Sequence, residues 1–186
     1  MKKQQNVRDI KGEFLESSFN YLVKNGLENT SVRDLCRGTG ISTGSVYYWF
    51  ENKDDLFIST AEYGLMKVVN SIFEYVFETI HDHEYFFKKS LDELGKYARQ
   101  LRLIYQMATS PVYGDRLRKK SAGLDDFYAQ SIERIAKEIK VSVDDLTPII
   151  FMYISVILDY MVWDDKKVTQ MQIDYLYEIL KSKMNG

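Results

Sequence analysis

The sequence predicts an all-α fold. Only 2 prolines and 10 glycines interrupt 186 residues, so long stretches are open to helix. Apolar residues recur at helical spacing in segment after segment. Residues that cap helices stand at the ends of several of these segments.

Phe14, Leu15, Ser18, Phe19 and Leu22 mark a first helix over about residues 6 to 24, which Asn25-Gly26 ends. Ser31 opens a second. Its hydroxyl is placed to accept the Asp34 N–H while Asp34 reaches back, a capping box. Val32, Leu35 and Cys36 form its apolar face, Gly40 stops it, and Ile41 plugs the turn. Ser42 caps a third helix, Thr43 to Phe50, with Val46 and Phe50 inward. Asn52 caps a fourth, with Asp54 and Asp55 in its positively polarised first turn, running to about Ile80.

Beyond the His81–His83 connector, a fifth helix is expected from about Glu84 to Thr109. Pro111 and Gly114 precede a short helix ending near Lys120, and another fits Leu124 to Lys140. Asp144 or Asp145 is expected to cap a helix that starts near Pro148 and ends at Trp163. It is apolar on nearly every side and must be covered on several faces. Val168 to Lys183 forms the last helix.

Composition narrows the function classes. Hydrophobic residues make up 45% and charged residues 28%, ordinary for a globular protein. The single cysteine, Cys36, excludes an internal disulfide framework and fits a reducing cytoplasm. It reads as a small buried hydrophobe. No run of 18 apolar residues or signal-peptide pattern is seen, so no membrane association is expected. His81 and His83 are too few for a metal site, and no catalytic constellation or cofactor motif stands out. Net charge is −2, and in the first 55 residues eight basic side chains are balanced by eight acidic ones. Charge therefore does not advertise a nucleic-acid partner, and that reading rests on local geometry.

The geometry is that of a helix-turn-helix: two short capped helices joined by Thr39-Gly40-Ile41-Ser42 on a supporting first helix. The second helix of such a pair enters the DNA major groove with its N-terminal residues at base edges. Here these are Ser42, Thr43, Gly44 and Ser45, whose small side chains permit close approach. Tyr47 and Tyr48 are expected at phosphate oxygens, with Lys53 at another beside free helix N–H groups. Ser31 and Arg33, at the start of the second helix, complete the expected DNA-binding set.

The whole string from Phe14 to Phe57 resembles the DNA-binding domain of TetR-family transcriptional regulators. The residues that carry the resemblance are Gly26, Thr30, Ser31, Val32, Leu35, Gly40, Ile41, Ser42, Gly44, Tyr47, Phe50, Lys53 and Leu56. Cys36 and Thr39 stand where the family usually has Ala, and Trp49 where His or Tyr is more usual. The resemblance implies a homodimer of nine or ten helices per chain. It also implies a C-terminal half that binds a small molecule and releases an operator in response.

On this reading residues 1–52 form the DNA-binding domain and 53–186 a helical ligand-binding and dimerisation domain. The expected partners are double-stranded operator DNA, a small organic effector and a second copy of the chain through the last two helices. The protein is expected to be cytoplasmic and a repressor. The expected effector cavity lies between the fourth, fifth, seventh and eighth helices. Its candidate lining is drawn from Phe73, Phe77, Tyr97, Tyr105, Phe127, Met152 and Trp163, with Asp159 as a polar anchor. Two rivals are a small-molecule-binding protein whose helix-turn-helix does not bind DNA, and an all-α enzyme using the same aromatic cavity.

Overall fold

The structure is a computed structural model, and it describes residues 9–184. Ten helices and no strands are found among them. In order they are α1 (Ile10–Asn25), α2 (Val32–Thr39), α3 (Thr43–Trp49), α4 (Lys53–Thr79) and α5 (His83–Gly95). The rest are α6 (Ala98–Thr109), α7 (Gly114–Lys120), α8 (Gly123–Ile139), α9 (Val143–Trp163) and α10 (Lys166–Met184). The expected start of the first helix before residue 9 lies outside the described residues.

Two departures from the sequence reading concern helix ends. The segment expected as one fifth helix is two, α5 and α6, separated at Lys96 and Tyr97. There the amides of Lys96 and Tyr97 reach back only three residues, to Glu93 and Leu94, tightening the chain after Gly95. Glycine is a poor helix former, and this one coincides with the break. The second departure is the start of α9. Its cap is Ser142, whose hydroxyl accepts the Asp145 N–H at 3.1 Å, and Pro148 lies inside the helix rather than at its start.

The chain forms two compact units. The first holds residues up to Met66 together with Leu103–Lys120, and the second holds Lys67–Arg102 and the chain from Ser121 onward. This division does not follow the expected 52/53 boundary. Leu56, Phe57, Ile58 and Ala61 of α4 share one buried core with Phe14, Leu22, Leu35, Val46 and Phe50. Leu103, Ile104, Met107 and Leu117, far along the chain, enter the same core. Burial of apolar surface is the main term favouring such a core, and two helices of the helix-turn-helix are too short to provide it alone.

In the second unit α9 packs against α10 and α8, and α10 also against α5. Helix α9 is long and apolar enough to cross a membrane by length and composition, a test that helices of globular proteins also pass. Its inward residues are Leu146, Ile149, Ile157 and Met161. Phe151, Met152, Val162 and Trp163 are exposed, as are Val168, Met171 and Tyr175 of α10.

Candidate nucleic-acid interface

The local chemistry of the helix-turn-helix is visible bond by bond. The Ser31 hydroxyl accepts the Asp34 N–H at 3.3 Å, and the Ser31 N–H donates to the Asp34 carboxylate at 3.0 Å. Those bonds hold the Asp34 carboxyl below its ordinary range, the Ser31 side chain first, with Arg37 assisting. Gly40 closes α2 at φ 70°, the left-handed region that a Cβ disfavours, and its N–H reaches Cys36 O at 3.1 Å. Ser42 then caps α3 by accepting the Ser45 N–H at 3.1 Å, and the two hydroxyls meet at 2.9 Å.

Helix α3 is anchored from one side only. Val46 and the following Phe50 are buried, and Phe50 lies 6.4 Å from the Phe14 ring. Trp49 also turns inward: it is half-buried, 6.0 Å from Phe14 and edge-on to Phe50. Its departure from the family pattern therefore falls on packing. The outward face carries Ser42, Thr43, Gly44 and Ser45, all exposed. Tyr47 is 53% and Tyr48 88% exposed.

Lys53 is exposed in the first turn of α4, its ammonium 4.9 Å from the centre of the buried Phe57 ring. Asn52 caps that turn through the Asp55 N–H at 2.9 Å. Ser31 and Arg33 are exposed at the start of α2. All nine residues expected at DNA thus lie on the surface of the first unit. Cys36 is buried in its core, and desolvation pushes its thiol up, away from nucleophilic character.

The expected effector residues separate. In the second unit Phe73 lies 5.9 Å from Phe77 and edge-on to Phe127 at 5.1 Å, with Tyr128 beside it. Arg134 sits 3.8 Å over Phe77. Tyr97 is half-buried in the turn between α5 and α6. Tyr105 belongs to the first unit and is exposed there. Met152, Asp159 and Trp163 are exposed on the outer face of α9, and Trp163 is 74% exposed. An exposed carboxylate needs no buried partner, so the argument for Asp159 as a cavity anchor fails. The outer face of this apolar helix is left uncovered in the single chain.

Sequence reasoning missed a second group in this unit. Tyr75 of α4 and Tyr153 of α9 both stack near Phe86, at 5.8 and 5.9 Å. Their hydroxyls are buried and close no well-formed hydrogen bond among the described residues, although Ser90 lies near enough to Tyr153, and Thr79 to Tyr75, to act on each phenol. The fully buried Ser90 directs its own hydroxyl at Phe87 O, at 3.4 Å. Burial pushes both phenols up, Tyr153 strongly, so each stays a neutral donor. Tyrosines alternating with phenylalanines give no signal in a single sequence that a hydroxyl will lack a well-formed hydrogen bond. A separate groove of about 540 Å³ opens between α5 and α10, lined by Glu84, Phe87, Gln170, Asp174 and Tyr177 among others.

Residues 14–60 match the family model described as bacterial regulatory proteins, tetR family. Over 50 residues the chain is 38% identical to the HTH-type transcriptional repressor KstR2 of Mycobacterium tuberculosis, from strains CDC 1551 / Oshkosh and ATCC 25618 / H37Rv. That match covers 27% of this chain and 25% of the length of each relative. The fold resembles the crystal structure of a TetR family transcription regulator from Marinobacter aquaeolei VT8, with a TM-score of 0.50 at 16% identity. It covers 92% of this chain and 95% of that one. The capped helix-turn-helix thus lies inside a segment that matches the tetR family of bacterial regulatory proteins, and the chain shares its fold over most of its length with a TetR family regulator.

Proposed function

We propose that the protein is a cytoplasmic, non-enzymatic transcriptional repressor that binds operator DNA through α3 as a homodimer and leaves it on binding a small organic effector. One observation carries the DNA reading. Helix α3 is pinned by Val46 and Phe50 and turns a continuous exposed face of small hydroxyl residues and two tyrosines outward. In this reading Thr43 and Ser45 meet base edges, and Ser42 and Gly44 allow close approach. Tyr47, Tyr48 and Lys53 hold phosphates, with Ser31 and Arg33 beside them.

The dimer reading is supported by the exposed apolar face of α9 and α10. Phe151, Met152, Val162 and Trp163 of α9 are exposed, as are Val168, Met171 and Tyr175 of α10. Two copies joined there form a four-helix interface, of the size of roughly 2,000 Å² or more seen in obligate dimers. Asp159 then lies in the interface. A two-fold dimer reads half-sites about 34–36 Å apart.

The effector reading is supported by the aromatic interior of the second unit. Phe73, Phe77 and Phe127 form one wall, and the buried hydroxyls of Tyr75 and Tyr153 offer donors elsewhere in the unit. Hydroxyl donors of this kind favour a ligand bearing an acceptor such as a carbonyl. Helix α4 contributes to both units, so a ligand acting on it has a route to α3. Coupling of about 1–3 kcal/mol shifts DNA affinity some 5- to 150-fold.

The test is a gel shift on fragments of the source genome across a salt series, with sedimentation of the free protein. Salt-sensitive, fragment-selective binding by a dimer is expected. A stable monomer at micromolar concentration rejects the dimer, and absence of fragment selectivity rejects the regulator reading.

A further inference from the structure

The charge of the DNA-facing unit presents a difficulty that the fold resolves. Residues 1–66 carry eight Lys or Arg against nine Asp or Glu, a net −1, so this stretch offers no excess of cations. DNA affinity depends heavily on cations at phosphates. The segment 103–120 belongs to the same compact unit and has the opposite sign, with Arg116, Arg118, Lys119 and Lys120 against Asp115 alone.

Helix α7 is held rigidly against the start of α4. Leu117 is buried in the core of the helix-turn-helix unit. The Lys120 ammonium donates to Ser59 Oγ at 3.0 Å and lies 3.8 Å from both the Asp55 and Glu62 carboxylates. Tyr113, just before α7, is placed beside Asp54, whose carboxylate adds to burial in pushing the phenol up. Asp54 and Asp55 directly follow Lys53, and both would repel a phosphate held there. Tyr113 covers one with its phenol, and Lys120 of α7 neutralises the other with its ammonium. Arg118 is tied to Ala108 O at 2.9 Å and to Asp115. Arg116 and Lys119 are exposed and have no ion pair or hydrogen bond to any described residue.

We propose that α7 is a second DNA-binding element, in which Arg116 and Lys119 take backbone phosphates flanking the one held at Lys53, while Lys120 shields the acidic first turn of α4. The proposal rests on the DNA-binding reading above. It assigns DNA contact to a segment some sixty residues beyond the helix-turn-helix. Held at backbone phosphates, Arg116 and Lys119 act on the charge of the duplex and not on its sequence.

The experiment uses the full chain and a fluorescein-labelled 30-base-pair duplex of mixed sequence, with affinity measured from low to moderate salt. Each phosphate contact contributes roughly 0.9 to the slope of log affinity against log salt. The double variant Arg116→Gln/Lys119→Gln is therefore expected to lower that slope by about 2, with its thermal midpoint unchanged. The comparison pair Lys88→Gln/Lys89→Gln, exposed on α5 of the second unit, is expected to leave the slope as it is. An unchanged slope in the α7 variant, with a reduced slope in Lys53→Ala, overturns the role of α7 and leaves DNA binding standing. Equal losses in both double variants also overturn it, by showing a general charge effect. If the unaltered protein does not bind the duplex even at low salt, the DNA reading and the α7 proposal fall together.

Discussion

The ring of Phe19, on α1, lies so close to Gly64, on α4, that any Cβ at position 64 would overlap its Cδ2, Cε2 and Cζ atoms. A glycine inside a helix is ordinarily replaced by alanine with a gain of about 1 kcal/mol. Here the sign reverses. Both groups lie in the buried part of the first unit, and forcing a methyl into a packed site costs about 1–3 kcal/mol. Gly64→Ala is expected to lower the urea midpoint, and Gly64→Ala with Phe19→Leu to recover part of the loss. A more stable single variant would show that the two helices separate freely.

The sequence was most legible where bonds are local. Ser31 with Asp34 and Ser42 with Ser45 are three residues apart, so the capping of α2 and α3 follows from spacing alone. The surface of α3 follows too, because Val46 and Phe50 leave only one outward face. What failed was non-local. Nothing in residues 103–120 signals that Leu103, Met107 and Leu117 join a core begun by Phe14. Asp159, Met152 and Trp163 were assigned to a cavity because periodicity cannot distinguish a helix buried in its own chain from one whose outer face is left exposed.

The capping box makes a pH prediction. The bonds from Ser31 depress the Asp34 carboxyl in the folded protein below its ordinary value of 3.8. A depressed carboxyl stabilises fully above its unfolded value, and the contribution is lost as pH falls through the folded one. The difference in urea midpoint between the unaltered protein and Asp34→Asn is therefore expected to be present at neutral pH and to shrink as the pH falls from 3.8 through the lower folded value. A difference that persists unchanged in acid would assign the effect to something other than the charge. At neutral pH, Ser31→Ala is expected to cost about 1 kcal/mol through the lost cap.

Tyr153 yields a stability prediction of opposite sign. Its hydroxyl is buried and closes no well-formed hydrogen bond, a situation that costs about 1–3 kcal/mol. Tyr153→Phe removes the hydroxyl and keeps the ring against Phe86 and Phe87. The variant is expected to unfold at a higher temperature, by about 2–4 °C for each kcal/mol recovered. Calorimetry showing a lower midpoint would mean that the hydroxyl is satisfied by Ser90 or by bound water, and would remove its claim as an effector donor.

The central claim is that α3 reads DNA sequence while Lys53 holds the backbone. It is tested most directly by selecting duplexes from a randomised pool with the unaltered chain, with Thr43→Ala/Ser45→Ala and with Lys53→Ala, then sequencing what each retains. The unaltered chain is expected to enrich an inverted repeat with half-sites about one helical turn apart, or a multiple of that. Lys53→Ala should enrich the same repeat with weaker retention, and the α3 double variant a changed or blurred one. Failure of the unaltered chain to enrich any sequence, or an identical repeat after the α3 changes, would contradict the account.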